Sequence, residues 1–285
     1  MTRIDAHQHY WILQRGDYSW LTPAAGSLYR DFTPADLRDE LLACSVDATV
    51  LVQAAATEDE TRFLFGLAGQ YASVAGIVGW VDFEADDVRE RLQSLVHDGG
   101  GKLKGLRPMI QEIRDPLWLD RASLDAAFDA VMDHDLAFDA LVMPQHLEAL
   151  ERRLRKHPML RAVLDHAGKP DIARRGFEPW ASRIERLARI DSLHCKLSGL
   201  LTEAAPGAGA AELDEFVAHV FACFGAERVI WGSDWPVLTV RTSYRQWLDT
   251  AVALVERHAP GQRESVFAGN AIRFYRLDVG ARSEC

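Results

Sequence analysis

The chain has 285 residues, 48% of them hydrophobic, enough to bury a large core in one α/β domain. Its formal charge of −10 leaves no basic stripe for a nucleic acid, and no apolar run approaches the ~20 residues that span a bilayer. Cys44, Cys195, Cys223 and Cys285 lie far apart with no Cys-x-x-Cys pair, so they are expected as reduced thiols of a cytoplasmic protein.

Arg3-Ile4-Asp5-Ala6-His7-Gln8-His9 opens the chain as a strand and leaves no room before it for a signal peptide. Alternation along an extended strand predicts His7, His9 and Asp5 on one face and Gln8 on the other. Two imidazoles converging from one strand end would begin a metal or acid–base site. Residues 10–31 then form a long irregular segment holding Trp11, Tyr18, Trp20 and Tyr29 among Gly and Pro. A loop of that length is usually functional, and its aromatic rings suit stacking on a sugar. Thr33-Pro34 starts a helix with Thr33 as N-cap and Asp36 three residues on.

From there strands and helices alternate. Strands are predicted over 48–53, 74–80, 103–107, 137–143, 161–166, 193–198 and 228–234. Helices begin at 57–60 and around Leu124 and Phe128, and run over 86–96, 145–157, 180–190, 212–224, 244–258 and 263–275. Near-continuous apolar strands imply a parallel sheet buried on both faces, and eight such units in roughly 250 residues match a (β/α)8 TIM barrel. The dinucleotide fingerprint of an open doubly wound sheet is missing after the first strand. One domain over 1–285 is expected, with 10–32 as a loop over the site and 278–285 as a polar tail.

In a barrel, polar groups at strand C-terminal ends read as the active site. Here those ends carry His7 and His9, Gln53, Arg107, His166, Lys196 with Ser198, and Asp234. Arg107 suits anchoring of an anion or carbonyl. Lys196, between apolar neighbours, needs a polar destination. Gln53 either touches substrate or bonds a neighbouring strand. His166 and Asp234 each have a plainer alternative, as a core histidine and as a turn cap. Histidines 97, 134, 146, 157, 219 and 258 fall on helices of the outer ring.

Asp5-Ala6-His7-Gln8-His9, Gly105-Leu106-Arg107, Leu164-Asp165-His166-Ala167-Gly168-Lys169-Pro170, Cys195-Lys196-Leu197-Ser198-Gly199 and Trp231-Gly232-Ser233-Asp234-Trp235-Pro236 together resemble the amidohydrolase superfamily. The closer resemblance is to its amidohydrolase 2 branch, which contains sugar-lactone hydrolases such as fuconolactonases and rhamnonolactonases. Gly269-Asn270-Ala271-x-Arg273-x-Tyr275 belongs to the same resemblance, which runs from Arg3 to Leu277. It implies a distorted, metal-dependent-hydrolase-like TIM barrel, with His7, His9 and Asp234 as ligands of one divalent cation, Zn²⁺, that activity need not require. Asp234 would activate water, His166 would serve the substrate oxygens or the departing ring oxygen, and Arg107, Lys196 and Gln53 would bind substrate. The histidine that metal-dependent members carry on strand five is absent, and Asp139 is the substitute there. Lys104 occupies the place of a carboxylated lysine, while Glu203 and Trp118 are candidate lid contacts.

The implied reaction is hydrolysis of an aldonolactone, such as L-fucono- or L-rhamnono-lactone, in carbohydrate catabolism. A Zn²⁺-dependent decarboxylase is the alternative, and a ligand-binding barrel without catalysis is disfavoured by the water-activating carboxylate. The expected partner is a small-molecule sugar lactone, with no nucleic acid or membrane; the oligomeric state is open.

Overall fold

In the computed structural model, which describes residues 2–279, each apolar run predicted as a strand pairs in parallel with the next. The strands are β1 (Ile4–Gln8), β2 (Ala48–Val52), β3 (Val74–Gly79), β4 (Leu103–Leu106), β5 (Ala137–Ala140), β6 (Ala162–Leu164), β7 (Leu193–Leu197) and β8 (Val229–Trp231). They lie in that order in one sheet. A parallel bridge between Gln8 and Trp235 brings the last strand back to the first. Two backbone bonds seal this seam, His9 N–H to Trp235 O and Asp234 N–H to His7 O, each 2.7 Å.

The crossovers are α1 (Pro34–Ala43), α2 (Glu58–Gln70), α3 (Val88–Asp98), α4 (Asp125–Asp133), α5 (Leu147–Lys156), α6 (Trp180–Ala188) and α7 (Ala210–Phe224). After β8 come α8 (Tyr244–His258) and α9 (Asn270–Tyr275). This is the (β/α)8 barrel. Local chemistry sets the helix starts: Pro34 opens α1 after the Thr33–Asp36 capping box, and Ser243 with Gln246 does the same for α8. Helix α5 buries Leu147, Leu150 and Leu154 along one stripe and leaves Arg152 and Arg155 outside.

The apolar interior has two parts. One lies between strands and helices, with Leu51, Ile77, Phe128, Ile184 and Leu248. The other fills the barrel's N-terminal end, where Ile4, Ala6, Val50, Val163 and Ile230 meet Ala271, Phe274 and Tyr275 of α9. Helix α9 therefore closes the bottom, and the strand C-termini keep the opposite end for chemistry. A π-helical turn, Ser265–Gly269, interrupts the helix expected over 263–275 and leads into α9. Of the tail expected over 278–285, residues 280–285, with Cys285, lie outside the described residues.

The first turn of α2 turns a carboxylate inward. Glu60 is fully buried and accepts from the N–H groups of Ala54 at 2.9 Å and Ala55 at 3.2 Å, pinning the loop after β2. Burial pushes its pKa up from 4.5 to about 8, against those two bonds. The folded state thus holds a proton that the unfolded chain releases near pH 4.5. This contribution is complete below that value and is lost as pH rises through about 8. Urea melts should show wild-type stability falling between pH 5 and 8.5 by on the order of a few kcal/mol more than that of Glu60→Gln. Parallel pH curves for the two proteins would refute the assignment.

Candidate active site

Strand β1 slips its register between Asp5 and Gln8. This bulge corrects the strict alternation expected for Asp5. Its carboxylate turns away from the histidines, toward α8, and accepts from Tyr244 OH and the Ser233 N–H at 2.8 Å each. Gln8 also faces outward, donating to Thr49 Oγ1 at 3.1 Å. An extra residue in a strand flips the side chains beyond it, which is why alternation misplaced Asp5 relative to His7.

His7 and His9 therefore meet inside the barrel mouth, with ring centroids 5.0 Å apart, and His166 lies 4.7 Å from His7. Asp234 sits among all three. Its Oδ1 is 3.3 Å from His9 Nε2, 3.7 Å from His7 Nε2 and 4.0 Å from His166 Nε2. Backbone geometry aims these groups. Asp234 has φ +61°, and His166, Ala167, Gly168 and Lys169 form an unbroken left-handed run with φ between +50° and +70°. Left-handed backbone costs roughly 1–2 kcal/mol per non-glycine residue, and Pro170 after Lys169 adds to the strain. Strands β6 and β8 end at Leu164 and Trp231, earlier than expected, ahead of the left-handed residues His166 and Asp234. The Trp180 indole donates to Ala167 O at 2.8 Å and holds the run in place.

His9 and His166 each have one nitrogen tied down. His9 Nδ1 lies 2.8 Å from Val52 O, and His166 Nδ1 lies 2.9 Å from Ser198 Oγ, so the Nε2 atoms face Asp234. Gly199, at φ +64°, backs His166, and a Cβ there would stand 2.4 Å from His166 Nδ1. Gly199→Ala should therefore displace His166 and lower kcat/KM by about a hundredfold, since a shift near 1 Å costs that much. A steady-state rate within threefold of wild type would show that His166 tolerates the move.

Beneath His7 lies a buried charge cluster. Lys196 Nζ is 2.5 Å from Asp139 Oδ2, 3.0 Å from Asp165 Oδ1 and 3.1 Å from His7 Nδ1. Tyr275 OH of α9 rises from below to donate to Asp139 Oδ2 at 2.7 Å. Arg107 Nη1 sits 3.2 Å from His7 Nε2 and 3.6 Å from Asp165 Oδ2. All of these side chains are buried. Burial, reinforced by the positive charge of Lys196, pulls His7 well below the usual histidine range. Burial likewise lowers His166. Burial alone would raise the Asp234 carboxyl, but the surrounding imidazoles outweigh it and hold Asp234 well below the carboxylate range. The same contest, won by Lys196, His7 and Arg107, keeps Asp165 ionised, whereas burial lifts Asp139 to about 6.

Above this floor opens a cavity of about 190 Å³ lined by His9, Arg107, His166, Asp234, Lys169 and Trp20, among others. Several expectations change here. Gln53 does not line it; its amide donates to Arg107 O at 2.7 Å, the strand-to-strand alternative. Lys196 lies below the cavity rather than on it, because two carboxylates compete for its charge. Asp139 is engaged by Lys196 and Tyr275 and takes no ligand position beside the histidines. Lys104, near the start of β4, donates to Arg276 O at 3.2 Å, at the barrel's other end. Trp118 is buried in the core, while Glu203 pairs with the cavity residue Lys169 at 2.7 Å. Of the aromatic segment only Trp20 reaches the cavity. Trp11 packs on Tyr18 and Phe32, so burial claims those three rings. Asp165 and Lys169 were not singled out from the sequence, whereas Trp20 was named there with three other rings of its segment. A carboxylate closing an apolar run was the available signal for Asp165.

Among the described residues, the group whose donor atoms all lie within 4.8 Å of one another is His7, His166 and Asp234. The group includes His166 where the sequence expectation had His9, and His9 Nε2 stands beside it, 3.3 Å from Asp234 Oδ1. Two buried neutral imidazoles and one ionised carboxylate are in the protonation states that metal binding needs, and the Ser198 contact orients His166 as a ligand is usually oriented. The set fits one divalent cation. Arg107 Nη1 competes with such a cation for the His7 Nε2 lone pair.

The amidohydrolase family model matches residues 4–277. An L-fucono-1,5-lactonase of Burkholderia ambifaria is 44% identical over 280 residues, 97% of this chain and 96% of its own length. Another, from Burkholderia multivorans, is 34% identical over 293 residues, 96% of each. A crystal structure of an amidohydrolase from Burkholderia multivorans with bound zinc superposes with TM-score 0.91 at 32% identity, covering 98% of this chain and 100% of that one.

Proposed function

The chain belongs to the amidohydrolase family, and from that premise we propose that it hydrolyses L-fucono-1,5-lactone or a near neighbour among the aldonolactones. It is a sugar-lactone hydrolase, adding water across a ring ester. The observation that carries the mechanism is Asp234, buried and ionised at the cavity floor within 4.0 Å of three imidazoles. Asp234 takes a proton from water as the oxygen attacks the lactone carbonyl; collapse of the tetrahedral intermediate breaks the ring C–O bond, and the proton passes from Asp234 to the departing ring oxygen. Arg107 supplies fixed positive charge to the carbonyl oxygen, where negative charge develops, and in the cation-free site His166, with Nδ1 accepting from Ser198 Oγ, donates through Nε2 to the substrate oxygens. Trp20 offers a ring face to the sugar.

A divalent cation, zinc by the likeness to the zinc-bound relative, would be held by His7, His166 and Asp234. Bound there it supplies Lewis-acid polarisation of a carbonyl and a lowered pKa for water. We also read residues 1–285 as one barrel domain, with 10–32 as the cover of its mouth. Its setting is carbohydrate breakdown in the cytoplasm, which buried thiols at Cys44 and Cys195 suit. No described helix is long and apolar enough to cross a membrane. The decarboxylase alternative is not favoured, because the relatives at 44% and 34% identity are lactonases.

The test is acid release from a panel of aldonolactones, with and without exhaustive chelation. L-fucono-1,5-lactone should be opened fastest, and failure on every lactone would sink the reading. Turnover that survives chelation assigns carbonyl polarisation to Arg107 and the imidazoles; turnover lost and restored by zinc assigns it to the cation.

A further inference from the structure

The left-handed run that aims His166 also delivers Lys169 to the cavity wall, and the reaction chemistry leaves that residue without a task. Its ammonium reaches across to the loop after β7, where Glu203 Oε1 lies 2.7 Å away. Glu203 is fixed from both sides: its N–H donates to Leu200 O at 3.2 Å and its carbonyl accepts from Ala173 N–H at 3.0 Å. The side chains keep 16% and 21% of their surface exposed, unlike the sealed pair of Lys196 and Asp139 at 0%. One donor-only group on the cavity wall and one acceptor-only group behind it therefore stand side by side, both partly exposed.

We propose that Lys169 and Glu203 form a clamp for two adjacent hydroxyls of the sugar ring, the element that selects polyhydroxylated lactones over bare ones. A hydroxyl oxygen accepts from the ammonium, and the neighbouring O–H donates to the carboxylate. The two hydroxyls bridge the ion pair and satisfy both of its members. Arg107 has no such acceptor beside it on the cavity side, since its contacts are His7, Asp165 and Gln53 O. Trp20 covers the apolar side of the ring, and the hydroxyl edge falls to the charged pair. The inference rests on the lactonase reading and adds the substrate feature that the site recognises.

A group that grips the hydroxyls equally in ground and transition states changes KM and leaves kcat alone. Lys169→Met should raise KM for the best aldonolactone about thirtyfold and Glu203→Gln about tenfold, each with kcat within threefold of wild type. The sugar-acid product keeps the same hydroxyls, so its inhibition constant should rise by the same factors. The double variant should be no worse than Lys169→Met alone, because the two groups act as a unit. Turnover of δ-valerolactone, which has no hydroxyls, should be unchanged at whatever level wild type shows. A fall in kcat with KM constant, or an equal loss on δ-valerolactone, would overturn the clamp. Calorimetric titration with L-fuconate reads the clamp without turnover. Weakened binding in both variants supports it even if the lactonase reading fails, and no binding to wild type rejects it.

Discussion

Replacing Asp234 with Asn is expected to lower kcat/KM by about a thousandfold or more while leaving the fold intact. The amide cannot take a proton from water, and it removes the negative charge around which three imidazoles are arranged. The fold should survive for a backbone reason. At φ +61° this position is left-handed, a region that Asn tolerates better than most residues. The backbone bonds from Asp234 N–H to His7 O and from Leu238 N–H to Asp234 O do not involve the side chain. Steady-state kinetics beside a thermal melt settle the matter. A variant within tenfold of wild type would show that another group activates water.

Lys196→Met should destabilise the protein by about 3–5 kcal/mol, the penalty for breaking a buried pair from one side. Methionine nearly preserves the buried volume, so the loss is electrostatic rather than a cavity effect. The carboxylates of Asp139 and Asp165 are fully buried, and Lys196 is the ammonium that stands 2.5 Å from one and 3.0 Å from the other. Without the ammonium their folded-state pKa values rise, and a raised pKa costs stability as pH increases through it. The deficit should therefore be largest at neutral pH and shrink toward pH 4. Urea melts at pH 4.5 and 7.5 measure it, and a loss below about 1 kcal/mol, or one independent of pH, would contradict the account.

Strand ends were the legible part of this site. His7, His9, Arg107, His166 and Asp234 could be picked out because polar residues closing apolar runs have no place in a barrel wall other than its mouth. The barrel itself followed from eight apolar runs in register with amphipathic helices. Three things were hidden for identifiable reasons. The bulge in β1 leaves no local mark in Asp-Ala-His-Gln-His, so the facing of Asp5 was misjudged. The left-handed run from His166 to Lys169 contains one glycine, and tertiary contacts such as the Trp180 indole impose the rest. Whether Gln53, Lys196 and the rings of Trp11 and Tyr18 reach substrate depends on depth. Depth is set by partners distant in the chain, Asp139 and Asp165 for Lys196 and Phe32 for Trp11.

The seam between β8 and β1 has a consequence for the order in which the molecule comes together. His9 and Asp234 are 225 residues apart in the chain, and Asp5 and Tyr244 are 239 apart. Neighbouring β/α units close short loops and form early, whereas contacts of such long range carry the largest chain-closure entropy. Asp234 meets His7 and His9 only when the cylinder is complete. Enzymatic activity is therefore a reporter of the last event in assembly. During refolding from urea, helical signal should return first and lactone opening should follow, because no partial barrel possesses the centre where the two ends of the sheet join.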